Sequence, residues 1–373
     1  MATLKNLPTE LLIMILSRLP LKTLSSFKLV CKFWYALIND PTNCSLQHKS
    51  ILLKHIIPDG RSCKHIHSIL KFSHDLDRSI SIINFNLPFD KDNPFSDICG
   101  HSHGLVCLSD DKDVFLLNPT TREFRKLPSS ILHYTGPDHE LHSWNLKTVG
   151  FGYDSKSRDL KVVRVVEFVH IYDSDGPTRM EIYDLRKDRW REIESPLPDH
   201  LMSICSFDIY HEGKYYWWSR NIIGSNIIQT FDISEEVFDE ISVPDSLSYE
   251  DNVYISIGIL NGNIVILRTF YHRIIEKEKD IYVWERKKDE DGVVSWSKLF
   301  TIGPSFGIER SLLAVSSDEL LMETKERQLI FYNIKTQRVK PIPIKGLGGY
   351  FCATLFENSL VSVKRGHNML YEF

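Results

Sequence analysis

The side chains in this sequence best equipped for chemistry are its histidines. Cys63-Lys-His65-Ile-His67, with His74 beyond it, and His101-Ser-His103 set imidazoles two residues apart. In an extended strand that spacing turns both rings to one face. A zinc site needs this and also three or four converging ligands with a hydrogen-bonded surround, so surface or hairpin histidines are the structural reading of the same residues, and no metal or other cofactor is expected. The seven cysteines (31, 44, 63, 99, 107, 205 and 352) are odd in number, scattered and never spaced CxxC. Reduced thiols follow, rather than a disulfide framework or a zinc module. A Cys–His pair assembled by folding stays open as a nucleophile, but GxSxG, HExxH and a glycine-rich phosphate loop are absent from the sequence.

The acidic side chains come in small groups: Asp110-Asp111, Asp173 with Asp175, Glu235-Glu236, Glu250-Asp251 and Asp289-Glu290-Asp291. Dispersed in this way they do not make the concentrated acid/base cluster of a propeller hydrolase. They read structurally as solvated hairpin tips, and functionally as charges around one face that steer a cationic partner, with Asp110, Asp111, Asp173, Asp175, Glu250 and Asp251 as substrate-binding candidates. Stretches too long for tight hairpins, at 133–145, 170–177, 244–252 and 272–279, are the natural places for specificity.

Charge is unevenly divided. Residues 1–49 hold six Lys/Arg against Glu10 and Asp40, a net +4, and the remaining 324 residues carry 39 basic against 47 acidic groups, a net −8. An acidic main domain argues against nucleic acid and for a basic or neutral protein partner. The composition, 42% hydrophobic and 25% charged, is that of an ordinary folded protein. The longest apolar run near the N-terminus, 11–16, is too short for a signal core or a membrane span, so a cytosolic or nuclear protein without membrane partners is expected.

Two kinds of element must position these groups. Near the N-terminus Pro8 and Glu10 suit a helix start, Leu12, Ile15, Leu16 and Leu19 follow at helical spacing, and Pro20 ends the helix. Leu24, Phe27, Cys31, Trp34 and Ile38 continue a 3-4-3-4 seam to Asp40-Pro41, which predicts a three-helix module over residues 1–48. Residues 11–16 are apolar all round, and a helix of that kind must be covered all round. Some forty residues cannot do so alone.

The string L-P-x-E-L-L...I-L-S-R-L-P-L-K-x-L...F-x-x-V-C-K-x-W...L-I-x-D-P from Leu7 to Pro41 resembles the F-box. The resemblance implies docking onto a Skp-type adaptor of a cullin-based (SCF) ubiquitin ligase, with one side of the helices on the adaptor and the other on the chain's own core. Leu7, Pro8, Leu11, Ile15, Leu16, Leu19, Pro20, Leu24, Val30, Trp34 and Ile38 are the docking residues so implied. Asn43 departs from the family, which often has an aromatic residue after Asp-Pro.

From residue 49 to 373 short Val-, Ile- and aromatic-rich runs alternate with Gly, Asp, Asn and Pro, as in all-β proteins. One unit recurs: an apolar strand ending in Asn or Asp, a polar turn, then an aromatic strand and a proline. It passes through Asn118, Asp184, Asp232, Glu285 and Asn333 at spacings of 66, 48, 53 and 48. Periods near fifty predict kelch-like β-propeller blades of four strands. Five units are visible; strands at 351–356 and 360–363 pairing with early strands at 51–55, 66–72 or 80–85 would make a sixth and close the ring.

Ile98-Cys-Gly-His-Ser-His-Gly-Leu-Val-Cys-Leu108, Leu117-Asn-Pro-Thr-Thr-Arg-Glu-Phe-Arg-Lys-Leu-Pro128 and Val149-Gly-Phe-Gly-Tyr-Asp154 are similar to the plant F-box-associated domain. Within that group the chain from about residue 5 to 370 resembles the S-locus F-box proteins of pollen. That resemblance implies a non-catalytic receptor in the pollen-tube cytosol, joined to adaptor and cullin, which takes non-self S-RNases, typically basic, for ubiquitination. The alternatives are a receptor of the same class with an unrelated target, a scaffold without ubiquitination, and a propeller hydrolase.

Overall fold

The computed structural model describes residues 7–16, 19, 21–39, 49–59, 62–72, 80–85, 97–110, 112–132, 142–170, 177–194, 209–220, 225–247, 253–270, 280–288, 293–303, 307–347 and 351–363. Among the described residues three short α-helices, α1 (Thr9–Leu16), α2 (Leu21–Phe27) and α3 (Lys32–Asn39), precede twenty-four strands. The strands form six antiparallel four-stranded sheets. Five are consecutive meanders, from inside outward: β4 (Asp97–Ser102) to β7 (Glu123–Lys126), β8 (His142–Asp154) to β11 (Arg189–Ile193), β12 (Ile209–His211) to β15 (Val237–Ser242), β16 (Val253–Leu260) to β19 (Val294–Ile302), and β20 (Ile308–Ser316) to β23 (Val339–Lys345). In the sixth sheet the last strand, β24 (Cys352–Glu357), lies inside β1 (Lys49–Asp59), β2 (Ser62–Phe72) and β3 (Ile80–Phe85). Leu52 sits opposite Thr354 in this closing pair.

The ring is thus the six-bladed propeller expected from the fifty-residue repeat. The recurring unit falls on the outer strand pairs of the five meander blades, at the hairpin itself for Asn118 opposite Glu123 and Asp184 opposite Arg189. One expected closing strand differs: 360–363 forms no strand and pairs with none among the described residues. Its partners are side chains from the neighbouring blade.

The core lies between blades. Ile51 and Leu53 pack with Leu312 and Leu321 of the last meander, whereas Leu52 packs with Ile98 and Val106 on the other side. Tyr215 and Trp217 likewise face Val163 and Ile182, and Tyr216 and Trp218 face Ile255 and Ile257. A strand buried on both faces reads as an unbroken apolar run, which is why Leu105–Leu108 and Val114–Leu117 show no polar alternation.

Strand direction sorts the connections onto two faces. On the first face they are tight, from two residues (103–104, 212–213, 261–262, 317–318) to five (289–293, 334–338), apart from 73–79. Asn261 and Gly262, both at positive φ (52° and 82°), make the Asn-Gly hairpin turn expected there. The second face carries the long connections 86–96, 127–141, 194–208, 243–252 and 271–280. Between the third and fourth blades the first face is tied by ions. Lys161 bridges Asp154 (2.7 Å) and Glu236 (2.8 Å), and Arg191 bridges Asp184 (3.0 Å) and Glu236. Burial alone would raise the Glu236 carboxyl, but the Arg191 and Lys161 hydrogen bonds outweigh it and hold it below the usual carboxylate range.

A buried imidazole makes the closing blade acid-sensitive. His55, 5% exposed and stacked on Phe351 at 6.0 Å, is pulled from 6.5 down to about 4 by burial, with His67 adding to the effect. Because the folded-state value lies below the ordinary one, this stability is complete above pH 6.5 and is lost as pH falls toward 4. The loss at His55 is about 3 kcal/mol. Thermal unfolding followed from neutral pH to pH 4 is expected to show it, and His55→Phe is expected to flatten that dependence.

Candidate functional site

In α1 the carbonyl of Pro8 accepts from the Leu11 and Leu12 amides at 3.1 and 3.2 Å, so Pro8 caps the helix rather than opening it. The helix then divides its apolar side chains between two directions. Leu12 and Leu16 turn inward with Leu24, Leu37 and Ile38, joined by Leu360 from the end of the ring, and Ile13, Leu19, Phe27 and Trp34 pack on their margin. Phe27 meets Trp34 edge-on at 5.4 Å. Leu7, Leu11, Met14 and Ile15 turn outward, Ile15 with 51% of its surface exposed. In the α2–α3 junction Leu29, Val30 and Phe33 are exposed as well, Leu29 to 88%.

Isolated exposed apolar residues are normal on a protein surface, but seven large ones on a module of this size point to a protein interface. Of the residues expected to dock, Leu7, Pro8, Leu11, Ile15 and Val30 lie outside, and Leu19 and Trp34 are half-covered. Leu16, Leu24 and Ile38 are buried in the module's own core, in one cluster with Leu360. Pro20 lies outside the described residues. Sequence reasoning missed Met14, Leu29 and Phe33. Met14 follows Leu7 and Leu11 at i+7 and i+3, a signal hidden because every residue from 11 to 16 is apolar.

The acidic candidates separate. Asp110 is buried in the β5–β6 turn, on the long-connection face, with Oδ1 accepting from the Lys112 amide at 2.8 Å and the Asp113 amide at 2.6 Å. Its carboxylate shapes the turn. Glu235 and Glu236 lie on the opposite, tight-turn face, paired with Lys156, Lys161 and Arg191. Asp111, Asp173, Asp175, Glu250 and Asp251 lie outside the described residues.

His65 and His67 are buried in β2, and His103, at φ 52° in the β4–β5 turn, packs on Tyr153 at 4.4 Å. His74 is outside the described residues. Among the described residues no three His, Cys, Asp or Glu side chains are grouped to hold a metal ion, and no helix is long and apolar enough to cross a membrane. What the described residues present is a set of exposed apolar side chains on the helices, on the side of the ring that carries the tight turns.

Known proteins match both parts. Residues 61–362 match the family described as F-box associated beta propeller domain, and residues 4–43 match the F-box-like family. The F-box protein CPR1 of Arabidopsis thaliana is 26% identical over 95% of this chain and 89% of its own length. An F-box/kelch-repeat protein of the same plant is 28% identical over 96% of both chains. A third relative, F-box/WD-40 repeat-containing protein 1 of Arabidopsis thaliana, is 28% identical over 79% of this chain and 68% of its own. The chain belongs to the plant F-box proteins with an F-box-associated β-propeller domain, the substrate receptors of Skp–cullin–F-box ubiquitin ligases.

Proposed function

We propose that this receptor takes a basic protein on the long-connection face of its propeller, and that in pollen this protein is a non-self S-RNase. The adaptor then occupies the apolar helical face, Leu7, Leu11, Met14 and Ile15 with Leu29, Val30 and Phe33, and the cullin joins through the adaptor. The chain's own contribution is positioning, which makes transfer to the bound target effectively intramolecular.

The observation that carries the reading is the division of labour across the ring. The basic, apolar module sits on the tight-turn face, while the long connections open on the opposite face of a segment with a net charge of −8 over 324 residues. Long-range attraction between an acidic receptor and a cationic target raises the association rate and is screened by salt. The resemblance of the whole chain to pollen S-locus F-box proteins supplies the specific target.

The test is surface binding of the intact chain, held through its adaptor, to purified S-RNases and to an unrelated basic ribonuclease as ionic strength is raised. Binding of S-RNase in preference to the control, weakening with salt through the association rate, is the expected result. Binding that ignores salt removes the steering mechanism. Equal binding of both ribonucleases, or of neither, leaves an F-box receptor with a different target.

A further inference from the structure

We infer that residues 358–363 are a clasp that holds the helical module at one fixed orientation to the propeller, with Leu360, Lys28 and Glu123 as positioning residues. These six residues follow β24, the strand that closes the ring, and engage both bodies at once. Leu360, 9% exposed, is the propeller's contribution to the core of the helices. Val361 and Val363, the alternate side chains, enter the core between the second and third blades with Leu105, Cys107 and Phe151.

Hydrogen bonds fix the same stretch on both sides. Asn118 Nδ2 donates to the Ser359 and Val361 carbonyls at 3.0 and 2.6 Å, and Asn358 Nδ2 donates to Ser50 Oγ at 2.9 Å. Glu123 accepts from Ser362 Oγ at 2.7 Å and from the Val363 amide at 3.2 Å. From the helices, Lys28 Nζ donates to the Leu360 carbonyl. Burial lowers the Lys28 amine from 10.5 to about 8, opposed by Glu123, as suits a cation set into an interface. Gly104 lies beneath the crossing. At φ +79° its missing Cβ would fall 2.0 Å from Ser359 Cβ, so a side chain here would push the segment away.

A covalent link at one point leaves a module free to swing, whereas a segment packed into both bodies removes that freedom. The consequence for ubiquitin transfer rests on the receptor role proposed above: with the adaptor on the outer helical face and the target across the ring, the clasp sets the distance between them. A small misplacement is costly in a reaction that depends on proximity.

The test uses spin labels on the intact chain at the two cysteines that are exposed among the described residues, Cys31 between α2 and α3 and Cys63 on β2, with Cys44 and Cys205 replaced by serine. One narrow distance distribution is expected. Leu360→Ala with Lys28→Met is expected to broaden it while calorimetry shows adaptor capture retained, and Leu360→Met is expected to keep it narrow. In a reconstituted ligase the double variant is expected to transfer ubiquitin about tenfold more slowly at saturating target. A broad distribution in the unaltered clasp, or a narrow one in the double variant, overturns the inference.

If the double variant loses its helices, Glu123→Ala decides, because it leaves every helical side chain in place: broadening supports the clasp and an unchanged width overturns it. The distances need neither adaptor nor target. A narrow distribution with no adaptor capture would therefore sink the receptor reading and spare the clasp.

Discussion

Replacing Leu11 and Ile15 together with glutamate is expected to abolish capture of the Skp-type adaptor while leaving the thermal transition of the propeller unmoved. Both side chains lie on the outer face of α1, 42% and 51% exposed, so neither contributes much to the module's own core. Full burial of one such side chain against a partner contributes about 1.5–3 kcal/mol. Two lost together remove about 3–6 kcal/mol, which is roughly a 10²- to 10⁴-fold loss of affinity. The glutamates add the cost of desolvating two carboxylates. Titration calorimetry with purified adaptor reads the loss. Leu16→Ala is the control, because Leu16 is fully covered in the cluster with Leu24, Ile38 and Leu360. It is expected to cost about 2–5 kcal/mol of helical stability and to weaken binding only as the helices unfold. Undiminished capture by the double glutamate variant would put the adaptor elsewhere.

The contrast between Leu11 and Leu16 marks how far the sequence could be read. An unbroken apolar run from 11 to 16 says that α1 needs cover on every side and does not say which side a partner covers, since periodicity needs polar residues to mark the faces. The propeller was legible because several outer hairpins repeat a turn with its own chemistry. The side chains of Asn118, Asp232 and Asn333 accept amide hydrogen bonds from the turns that follow them. Inner strands carry no such signature, and β12 spans only Ile209–His211. The misread of 360–363 as a strand has a similar cause. Leu-Val-Ser-Val has strand composition, yet its backbone bonds to the side chains of Lys28, Asn118 and Glu123, all 240 or more residues away, which no local pattern reveals. Asp110 was open to a better reading: Asp-Asp-Lys-Asp between two apolar runs is turn chemistry before it is a charged surface.

The second large effect lies at the closure of the ring, where removing one carboxylate should loosen the clasp from a distance. Arg310 of β20 donates through Nε to Glu323 of β21 at 2.7 Å and through Nη2 to the Phe351 carbonyl at 3.0 Å, and its guanidinium lies 5.4 Å from the Tyr254 ring centroid. The two side chains are 7% and 0% exposed. Glu323→Ala leaves the guanidinium in the interior without its carboxylate, a change that typically costs about 3–5 kcal/mol from a total of roughly 5–15. The midpoint of thermal unfolding is expected to fall by roughly 10 °C. Replacing both partners with apolar residues of similar volume, Arg310→Met with Glu323→Leu, is expected to recover most of that loss, because the penalty belongs to the stranded charge rather than to the missing bond. Phe351 is the residue before β24, and β24 leads directly into 358–363. Hydrogen exchange in Glu323→Ala should therefore rise first along Cys352–Glu357 and the clasp, ahead of the central blades. An unshifted midpoint in Glu323→Ala, or a double variant as unstable as the single one, would mean that closure rests on the apolar contacts of Ile51, Leu53 and Ala353 and that the ion pair is incidental to it.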